Sequence, residues 1–175
     1  MLRKSGLLVS LLAILFALVP VTTASAAPYC GITWGSFAKS VNPTRTGELV
    51  DVRAGRHDCY DRLVFDANGP ANGYWVSYVD QVREQATGRV LPLRGGAKLS
   101  VTVQAPSYDQ NGTRTYRYAN RRELVDATGF RTFRQVAHAG SFEGSTTVGL
   151  GVRARLPFRV FTLPNRIVVD VAHFW

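Results

Sequence analysis

Apolar and polar residues alternate with a period of two through much of this chain, and this alternation constrains the fold more than any other feature. In "LSVTVQA", Leu99, Val101 and Val103 would share one face of a strand, with Ser100 and Thr102 on the other. Further runs with strand character are "ELVDVRA", "YWVSYV", "VRARL" and "RIVVDVAHFW". Gly-, Pro- and Asn-rich breaks such as "NGPANG" and "DQNG" separate the runs and predict turns. Short strands at this spacing predict an all-β fold, an antiparallel sandwich or barrel.

Other segments are harder to assign from their pattern. "ANRRELVDA" (119–127) predicts either a short helix or a strand. "GSFEGSTTVGLG" (140–151) predicts a Gly-rich loop that continues into a strand. In "VRARL", Arg153 and Arg155 are expected to lie on one face of a strand.

The N-terminal residues have the pattern of a secretory signal peptide. Arg3 and Lys4 precede the apolar run "LLVSLLAILFALV" (7–19), and "ASA" (24–26) matches the small-residue cleavage pattern. The alternative is a membrane anchor, but this run is too short to span about 30 Å of hydrocarbon comfortably. We therefore expect a secreted, extracytoplasmic chain with no transmembrane segment after cleavage. The expected organisation is a signal peptide (1–26), an N-terminal arm (27–47) and one β-domain (48–175).

The part of the chain after the expected cleavage site contains two cysteines, Cys30 and Cys59. In an exported chain an isolated pair predicts one disulfide, which would tether the N-terminal arm to the strand that contains Cys59. A metal pair is the alternative, but it lacks the further His or Cys ligands that zinc needs. We therefore expect a disulfide, and neither a bound metal nor a cofactor.

The chain is basic, with 21 Lys and Arg residues against 12 Asp and Glu residues and a formal net charge of +9. Most of the basic residues are Arg, whose planar guanidinium suits bidentate contact with carboxylate and phosphate groups. Outside the cytoplasm, the anions available are cell-wall polymers, lipid headgroups and acidic proteins, so we do not expect a nucleic-acid partner. The alternative is that the arginines are simply solvated.

Catalytic patterns are weak in this sequence. The three histidines are His57, His138 and His173, and none belongs to a nucleophile elbow or a zinc-binding helix motif. Glu143, in "SFEGS", is the carboxylate best placed for a hydrolase. Because these patterns are weak, we expect a protein that is not an enzyme. The remaining alternative is a small cell-wall hydrolase, which a cleft that brings His138, Ser141 and Glu143 together would favour.

The candidate ligand-binding residues are arginines close to aromatic residues. Arg131 and Arg134 lie in "GFRTFRQ" with Phe130 and Phe133, and Arg153 and Arg155 lie in "VRARL". Aromatic rings interleaved with Arg suit stacking on sugars and contact with acidic groups. The alternative is that the Phe residues belong to the core and the Arg residues are solvated.

Two short runs nearly repeat each other, "RLVFD" (62–66) and "RIVVD" (166–170). Residues four apart in a strand share a face but lie about 13 Å apart, so the Arg and Asp of one run cannot pair with each other. If the two runs are neighbouring antiparallel strands with Val64 opposite Val168, each Arg faces the Asp of the other run. A parallel arrangement would oppose like charges, which is unfavourable. We therefore expect antiparallel pairing if the two runs touch, and equivalent places in two sheets if they do not.

Several blocks of the sequence resemble a known family. They are "CGITWGS", "VRAGRHDCYDRLVFD", "GYWVSYVDQV", "LRGGAKLSVTVQAP", "GFRTFRQVAHAGSFEGSTTVGLGVRARLPFRVFTL" and "NRIVVDVAH". Together they make Cys30–Trp175 similar to the AMIN-like secreted proteins of high-GC Gram-positive bacteria.

This resemblance implies an antiparallel β-sandwich of AMIN-like type and a non-catalytic module of the cell envelope. The AMIN domain is implicated in binding peptidoglycan, so the expected partner is peptidoglycan, another cell-wall polymer or an envelope protein. No catalytic domain follows the last strand, so we expect the module to act through a partner or by binding alone. The alternative function is a structural or protein-interaction subunit of the envelope.

Overall fold

The structure is a computed structural model that describes residues 28–175. The predicted signal peptide (1–26) and its cleavage site lie outside the described residues. The described part of the chain contains eleven strands and a single 3-10 turn, Tyr29–Gly31. The strands are β1 (Lys39–Val41), β2 (Glu48–Arg56), β3 (Tyr60–Asn68), β4 (Tyr74–Tyr78), β5 (Val82–Arg83), β6 (Val90–Leu91), β7 (Ala97–Val103), β8 (Phe133–Phe142), β9 (Ser145–Val152), β10 (Phe158–Leu163) and β11 (Arg166–Ala172).

The strands form two sheets and a two-stranded ribbon, and all paired strands are antiparallel. The five-stranded sheet has the order β1-β4-β7-β9-β8, the four-stranded sheet has the order β10-β11-β3-β2, and β5 and β6 form the ribbon. Apolar residues from both sheets belong to one hydrophobic core. The predicted antiparallel β-sandwich is therefore confirmed.

The core lies between the two sheets and follows from the alternation along the strands. Leu63 and Phe65 face it from the four-stranded sheet, while Leu99, Val101 and Val103 face it from β7 in the other sheet. Each of these side chains is at most 1% exposed. Full burial of a Val, Leu or Phe side chain contributes about 1.5–3 kcal/mol, so this alternation stabilises the sandwich directly.

The β5–β6 ribbon lies over the outer face of the five-stranded sheet. A second apolar cluster, formed by Val82, Leu91, Ala137 and Ala139, packs beneath it. At Gly149 of β9 an added Cβ would lie 2.7 Å from the Leu93 side chain, so glycine allows the ribbon segment to approach this closely. The ribbon covers part of this sheet, whereas the outer face of the four-stranded sheet is covered by its own side chains, and Val64 and Val168 at its centre are only 5% and 1% exposed.

The near-repeat forms the centre of the four-stranded sheet. Strands β3 and β11 pair antiparallel with Val64 opposite Val168, which sets Arg62 opposite Asp170 and Asp66 opposite Arg166. The predicted register is therefore confirmed. Each Arg of one run faces the Asp of the other, as the charge argument requires.

The prediction of a strand over "VRARL" is wrong. Strand β9 ends at Val152, and Arg153–Arg155 form a bend. The chain must leave the five-stranded sheet here, because the next strand, β10, belongs to the four-stranded sheet. Leu156 and Phe158 are buried as the chain crosses between the sheets. Arg153 and Arg155 therefore do not share a strand face.

The expectation of a helix or strand over residues 119–127 is also wrong, since the segment is a series of turns. The side chains of Asn120 and Asp126 accept hydrogen bonds from backbone N–H groups two residues further on. Such Asx turns compete with helix formation. The segment flanks the edge strand β8, where the N–H of His138 donates to the carbonyl of Arg121.

The expected loop at the start of residues 140–151 is a tight hairpin instead. Residues 140–142 end β8, and β9 begins at Ser145. The two turn residues, Glu143 and Gly144, have φ values of 47° and 76°. Positive φ at both positions is typical of the turn that suits two twisted antiparallel strands.

The predicted disulfide between Cys30 and Cys59 is confirmed. Cys59 directly precedes β3 of the four-stranded sheet, whereas β1 of the arm pairs with β4 in the five-stranded sheet. The N-terminal arm therefore connects the two sheets of the sandwich.

We predict that the Cys30→Ala/Cys59→Ala variant loses about 3–4 kcal/mol of unfolding free energy, the loop-entropy value for a cross-link of this length. The two cysteines are separated by 29 positions, so the open chain gains considerable freedom when unfolded. Urea denaturation of the oxidised protein and of the variant measures the difference. A loss below about 1 kcal/mol would contradict a stabilising role for the tether.

Candidate functional site

The outer face of the four-stranded sheet presents charged side chains in cross-strand rows. The three antiparallel pairs have registers that align one residue from each of β10, β11, β3 and β2 in every row. In that strand order the rows are Arg159–Asp170–Arg62–Gly55, Phe161–Val168–Val64–Arg53 and Leu163–Arg166–Asp66–Asp51. We call these twelve residues the arginine–aspartate face.

Asp170 anchors the first row. Its side chain is 0% exposed, although it lies on the outer face of the sheet. Arg62 donates to it from Nε at 2.7 Å and from Nη2 at 2.9 Å, and Arg159 donates from Nε at 2.8 Å. The hydrogen bond to Asp170 is the main reason that the pKa of Arg62 is raised. Two guanidinium groups on one carboxylate leave a local charge of one positive unit.

Three aromatic rings surround these two guanidinium groups. The Arg62 Cζ lies 5.2 Å from the Tyr60 ring centre and 5.4 Å from that of Phe161. The Arg159 Cζ lies 5.3 Å, 5.0 Å and 5.6 Å from the Tyr60, Phe161 and Trp34 ring centres. These distances are in the range of cation–π contacts. The side chains are therefore held by rings as well as by the carboxylate.

Trp34 reaches this cluster from the N-terminal arm. Its indole Nε1 donates to the carbonyl of Tyr29 at 2.8 Å, and its ring lies 5.9 Å from that of Tyr60. Tyr29 directly precedes Cys30, so the disulfide to Cys59 holds this part of the arm beside the start of β3. The tether thus positions an aromatic residue of the site.

Asp66 anchors the third row and is more open than Asp170. Arg53 donates to it from Nε at 2.6 Å and Nη2 at 3.2 Å, and Arg166 donates from Nε at 2.7 Å. Its side chain is 20% exposed, and both arginine side chains are 49% exposed. Partial burial raises the pKa of Asp66, but the hydrogen bonds from the two arginines outweigh it, so the pKa is lowered. Asp66 is therefore ionised at neutral pH.

A groove of about 310 Å³ lies between the two charged rows. Val64 and Val168 contribute its apolar lining, and Gly55 leaves space beside Arg62 because it has no side chain. Arg53 and Arg166 line the other end. Val64 and Val168 are only 5% and 1% exposed, so the accessible surface of the groove is formed mainly by the guanidinium groups at its two ends.

Each of the four arginines donates from Nε to Asp170 or Asp66 and leaves its Nη1 group without a hydrogen-bond partner among the described residues. With Asp51 included, four guanidinium groups face three carboxylates. The face can therefore donate charge-assisted hydrogen bonds to carboxylate or phosphate groups. Among the described residues, no cluster of three or more His, Cys, Asp or Glu side chains could hold a metal ion.

Sequence reasoning found the pairing of β3 with β11 but missed Trp34, Arg159 and Phe161. The sequence does contain a signal for Arg159 and Phe161. A two-residue turn, Pro164–Asn165, joins β10 to β11, and counting back from it sets Arg159 opposite Asp170. Trp34 has no such signal, because its position depends on the path of the arm.

The four arginines proposed from the sequence lie away from this face. Arg134 donates to the carbonyls of Phe130, Phe133 and Arg131, and Arg153 donates from Nη2 to the carbonyl of His173 at 2.6 Å. The guanidinium of Arg155 lies 4.8 Å from the Tyr78 ring centre, and the Arg131 side chain is exposed to solvent. A ligand role for Arg131, Arg134, Arg153 and Arg155 stays a prediction.

The residues considered for a hydrolase are only partly brought together. His138 and Ser141 line one pocket, while Glu143 lies at the exposed turn between β8 and β9. The Ser141 Oγ donates to the Ser145 carbonyl at 3.0 Å, shares a hydrogen bond with Thr146 and accepts the Ser107 N–H. These hydrogen bonds give Ser141 a structural role in closing the hairpin.

The remaining histidines have clear packing roles. The His173 imidazole is buried, with Nε2 3.1 Å from Asp61 Oδ1 and Nδ1 3.1 Å from the Asp58 carbonyl. The other oxygen of Asp61 accepts the N–H groups of Thr132 and Phe133. This buried network joins β3 and the end of β11 to the start of β8. His57 stacks on Tyr60 at 4.6 Å between ring centres.

A comparison with protein-family models matches the AMIN-like domain over residues 47–173. The chain belongs to the AMIN-like domain family. This result confirms the resemblance found in the sequence, and the β2–β3 and β10–β11 hairpins of the arginine–aspartate face lie inside the matched range. Comparisons with curated proteins and with solved structures returned no match.

Membership of the AMIN-like family suggests a module associated with the cell envelope. The disulfide between Cys30 and Cys59 fits an extracytoplasmic protein. Residues 28–175 contain no helix that is long and apolar enough to cross a membrane.

We predict that Asp170→Asn destabilises the protein by about 2 kcal/mol, because two partly buried guanidinium groups, 23% and 30% exposed, lose the charge that accepts their hydrogen bonds. Asp66→Asn is the matched control and costs about 1 kcal/mol or less, because its arginine partners are half exposed and screened by water. Urea denaturation of both variants at pH 7 measures the difference. Equal losses would contradict the assignment of Asp170 as the main anchor of this face.

Proposed function

We propose that this AMIN-like protein is an exported, non-catalytic module of the cell envelope whose arginine–aspartate face binds an anionic cell-wall polymer. Peptidoglycan, or another polymer that carries carboxylate or phosphate groups, is the proposed ligand. The observation that supports this most strongly is a sheet face on which two carboxylates orient four arginines, two of which lie beside three aromatic rings.

The spacing of the charged rows suits a ligand with repeated anionic groups. The rows of Asp170 and Asp66 are four residues apart along their strands, which corresponds to about 13 Å. Val64 and Val168 lie beneath the groove between the rows and are almost fully buried. A sugar chain that lies over this groove can place an anionic group at each end, whereas a single small anion would use only one row.

The fixed orientation of the arginines favours binding. A free Arg side chain loses about 2 kcal/mol of rotamer entropy when it is immobilised, but Arg62 and Arg159 are already held by Asp170 and the neighbouring rings. Binding then requires little further ordering of the protein. The aromatic cluster of Trp34, Tyr60 and Phe161 adds surface on which sugar rings can stack.

We predict that Arg53→Gln/Arg166→Gln weakens retention on purified, protein-free cell wall at least tenfold at low salt, a loss expected when two charge-assisted contacts are removed. Arg53 and Arg166 are both half exposed, so the fold should tolerate these changes. The matched control is Arg45→Gln/Arg117→Gln, which removes the same charge from exposed positions outside the face.

The control variant should bind nearly as well as the unchanged protein. Retention of the unchanged protein should fall steeply as salt rises from about 0.05 M to about 0.5 M, because exposed ionic contacts are screened. Absence of retention at low salt, or an equal loss in the control variant, would contradict the proposal.

A protein-interaction role is the second candidate, and an open edge of the five-stranded sheet favours it. Trp75 on β4 is 57% exposed, and Phe37, just before the edge strand β1, is 85% exposed. Exposed aromatic residues near an open sheet edge favour contact with another protein. Photo-crosslinking from position 75 in cells distinguishes the two candidates: protein adducts support this role, and wall fragments alone contradict it.

A further inference from the structure

A second cavity, separate from the arginine–aspartate face, lies at the edge of the sandwich beside β8. Its volume is about 400 Å³, within the usual range for small-molecule sites. The edge strand contributes His138 and Ser141, and the connection between β7 and β8 contributes most of the remaining lining. The most informative of these residues are Arg114, Tyr116, Tyr118 and Arg121.

His138 is the feature of this pocket that demands an explanation. The residue is only 7% exposed, and its Nε2 is buried without a hydrogen-bond partner among residues 28–175. An unsatisfied buried polar group costs about 1–3 kcal/mol, and such groups in folded proteins are uncommon. A ligand that displaces the groups covering Nε2 and supplies the missing partner would remove this cost.

The local backbone places His138 in the pocket. The β8–β9 pairing shifts register between His138 and Gly140, which is a β-bulge in the edge strand. Gly140 has a φ of 135°, a conformation that other residues rarely adopt. Bulges redirect side chains and are common next to functional sites. The bulge places His138 and Ser141 on the same side of the strand, towards the segment that bears the tyrosines.

The charges around His138 are predominantly positive. Burial, together with Arg121 and Arg114, lowers the pKa of His138 to about 4, so its imidazole is neutral at pH 7. Arg121 donates to the His138 carbonyl and pairs with Glu84 of the ribbon segment at 2.9 Å. The Arg114 guanidinium makes no hydrogen bond within the described part of the chain and is exposed. Arg114 is therefore available to an anionic ligand.

Aromatic rings form the other wall of the pocket. The Tyr118 ring lies 5.0 Å from the His138 ring and 5.6 Å from the Tyr116 ring, measured between centres. Burial is the main cause that raises the pKa of Tyr116 to about 12, and the carboxylate of Asp51 adds to it, so its hydroxyl stays protonated. Tyr116 is only 4% exposed and supports Tyr118 from the core, so Tyr118 is the ring that can offer a flat face to a sugar.

We propose that this pocket binds a pyranose sugar that bears one carboxylate. The carboxylate contacts Arg114, the sugar ring packs against Tyr118, and a hydroxyl group of the sugar or a water bound with it gives His138 Nε2 its partner. The proposal is independent of polymer binding by the arginine–aspartate face, because the two sites share no residue.

The test is an NMR titration of the isotope-labelled secreted protein, which follows the His138 ring signals. Two probes bear the proposed chemistry, D-glucuronate and N-acetylmuramic acid, and glucose and acetate are the controls. We expect at least one sugar acid to give a saturable shift with a dissociation constant of about 1 mM, the strength of a small polar ligand. Glucose and acetate should bind at least tenfold more weakly, because glucose lacks the carboxylate and acetate lacks the sugar ring.

Arg114→Gln should weaken binding of the sugar acid about tenfold, because it removes a charge-assisted contact. The exposed Arg117→Gln change, three positions away and outside the pocket lining, is the matched control and should have little effect. Binding of N-acetylmuramic acid alone would point to a cell-wall source, and binding of glucuronate alone to a uronic-acid polymer; both outcomes support the site.

Three results would overturn the proposal: no saturable shift of the His138 signal by either sugar acid, equal binding of acetate, or an unchanged affinity in Arg114→Gln. The Arg53→Gln/Arg166→Gln variant keeps this pocket intact. It should therefore bind the sugar acid normally even where retention on cell wall is lost, so the two proposals can fail separately.

Discussion

The buried carboxylate of Asp170 is the constraint on which the four-stranded sheet depends. A buried charge is tolerated only when it is paired, and Asp170 is paired from both neighbouring strands, by Arg159 on β10 and Arg62 on β3. A slip of one residue in either strand would turn these arginines to the opposite face of the sheet. The same ion pairs that compensate the buried charge therefore set the register of three strands.

That arrangement also produces the surface proposed to bind ligand. Each anchoring carboxylate, Asp170 and Asp66, draws two arginines to itself, so positive charge exceeds negative charge on the face. The arginines are fixed through Nε, by which they contact the protein, and present their other edge outwards. The structural role and the proposed binding role thus fall on the same side chains. The disulfide extends the arrangement, because it holds the arm that places Trp34 beside Arg159.

The parts of the fold that could be predicted are those governed by local pattern or by charge. The antiparallel pairing of β3 and β11 could be predicted because a parallel arrangement would set like charges opposite each other. The core positions of β7 could be predicted from the alternation of apolar and polar residues. The prediction failed at Arg153 and Arg155, where the same alternation continues but the chain must cross between sheets. It also missed Trp34, which meets Arg159 across more than a hundred positions. Such contacts arise from the packing of segments that are distant in the sequence, so no periodic pattern of residues predicts them.

We propose that the arginine–aspartate face, rather than the arginines near the aromatic motifs, contacts the wall polymer. NMR detection of arginine Nε–Hε signals during titration with soluble, muramidase-released peptidoglycan fragments tests this directly. We expect the signals of Arg53, Arg62, Arg159 and Arg166 to shift together and to saturate. Shifts confined to Arg131, Arg134, Arg153 and Arg155, with the face unaffected, would contradict it.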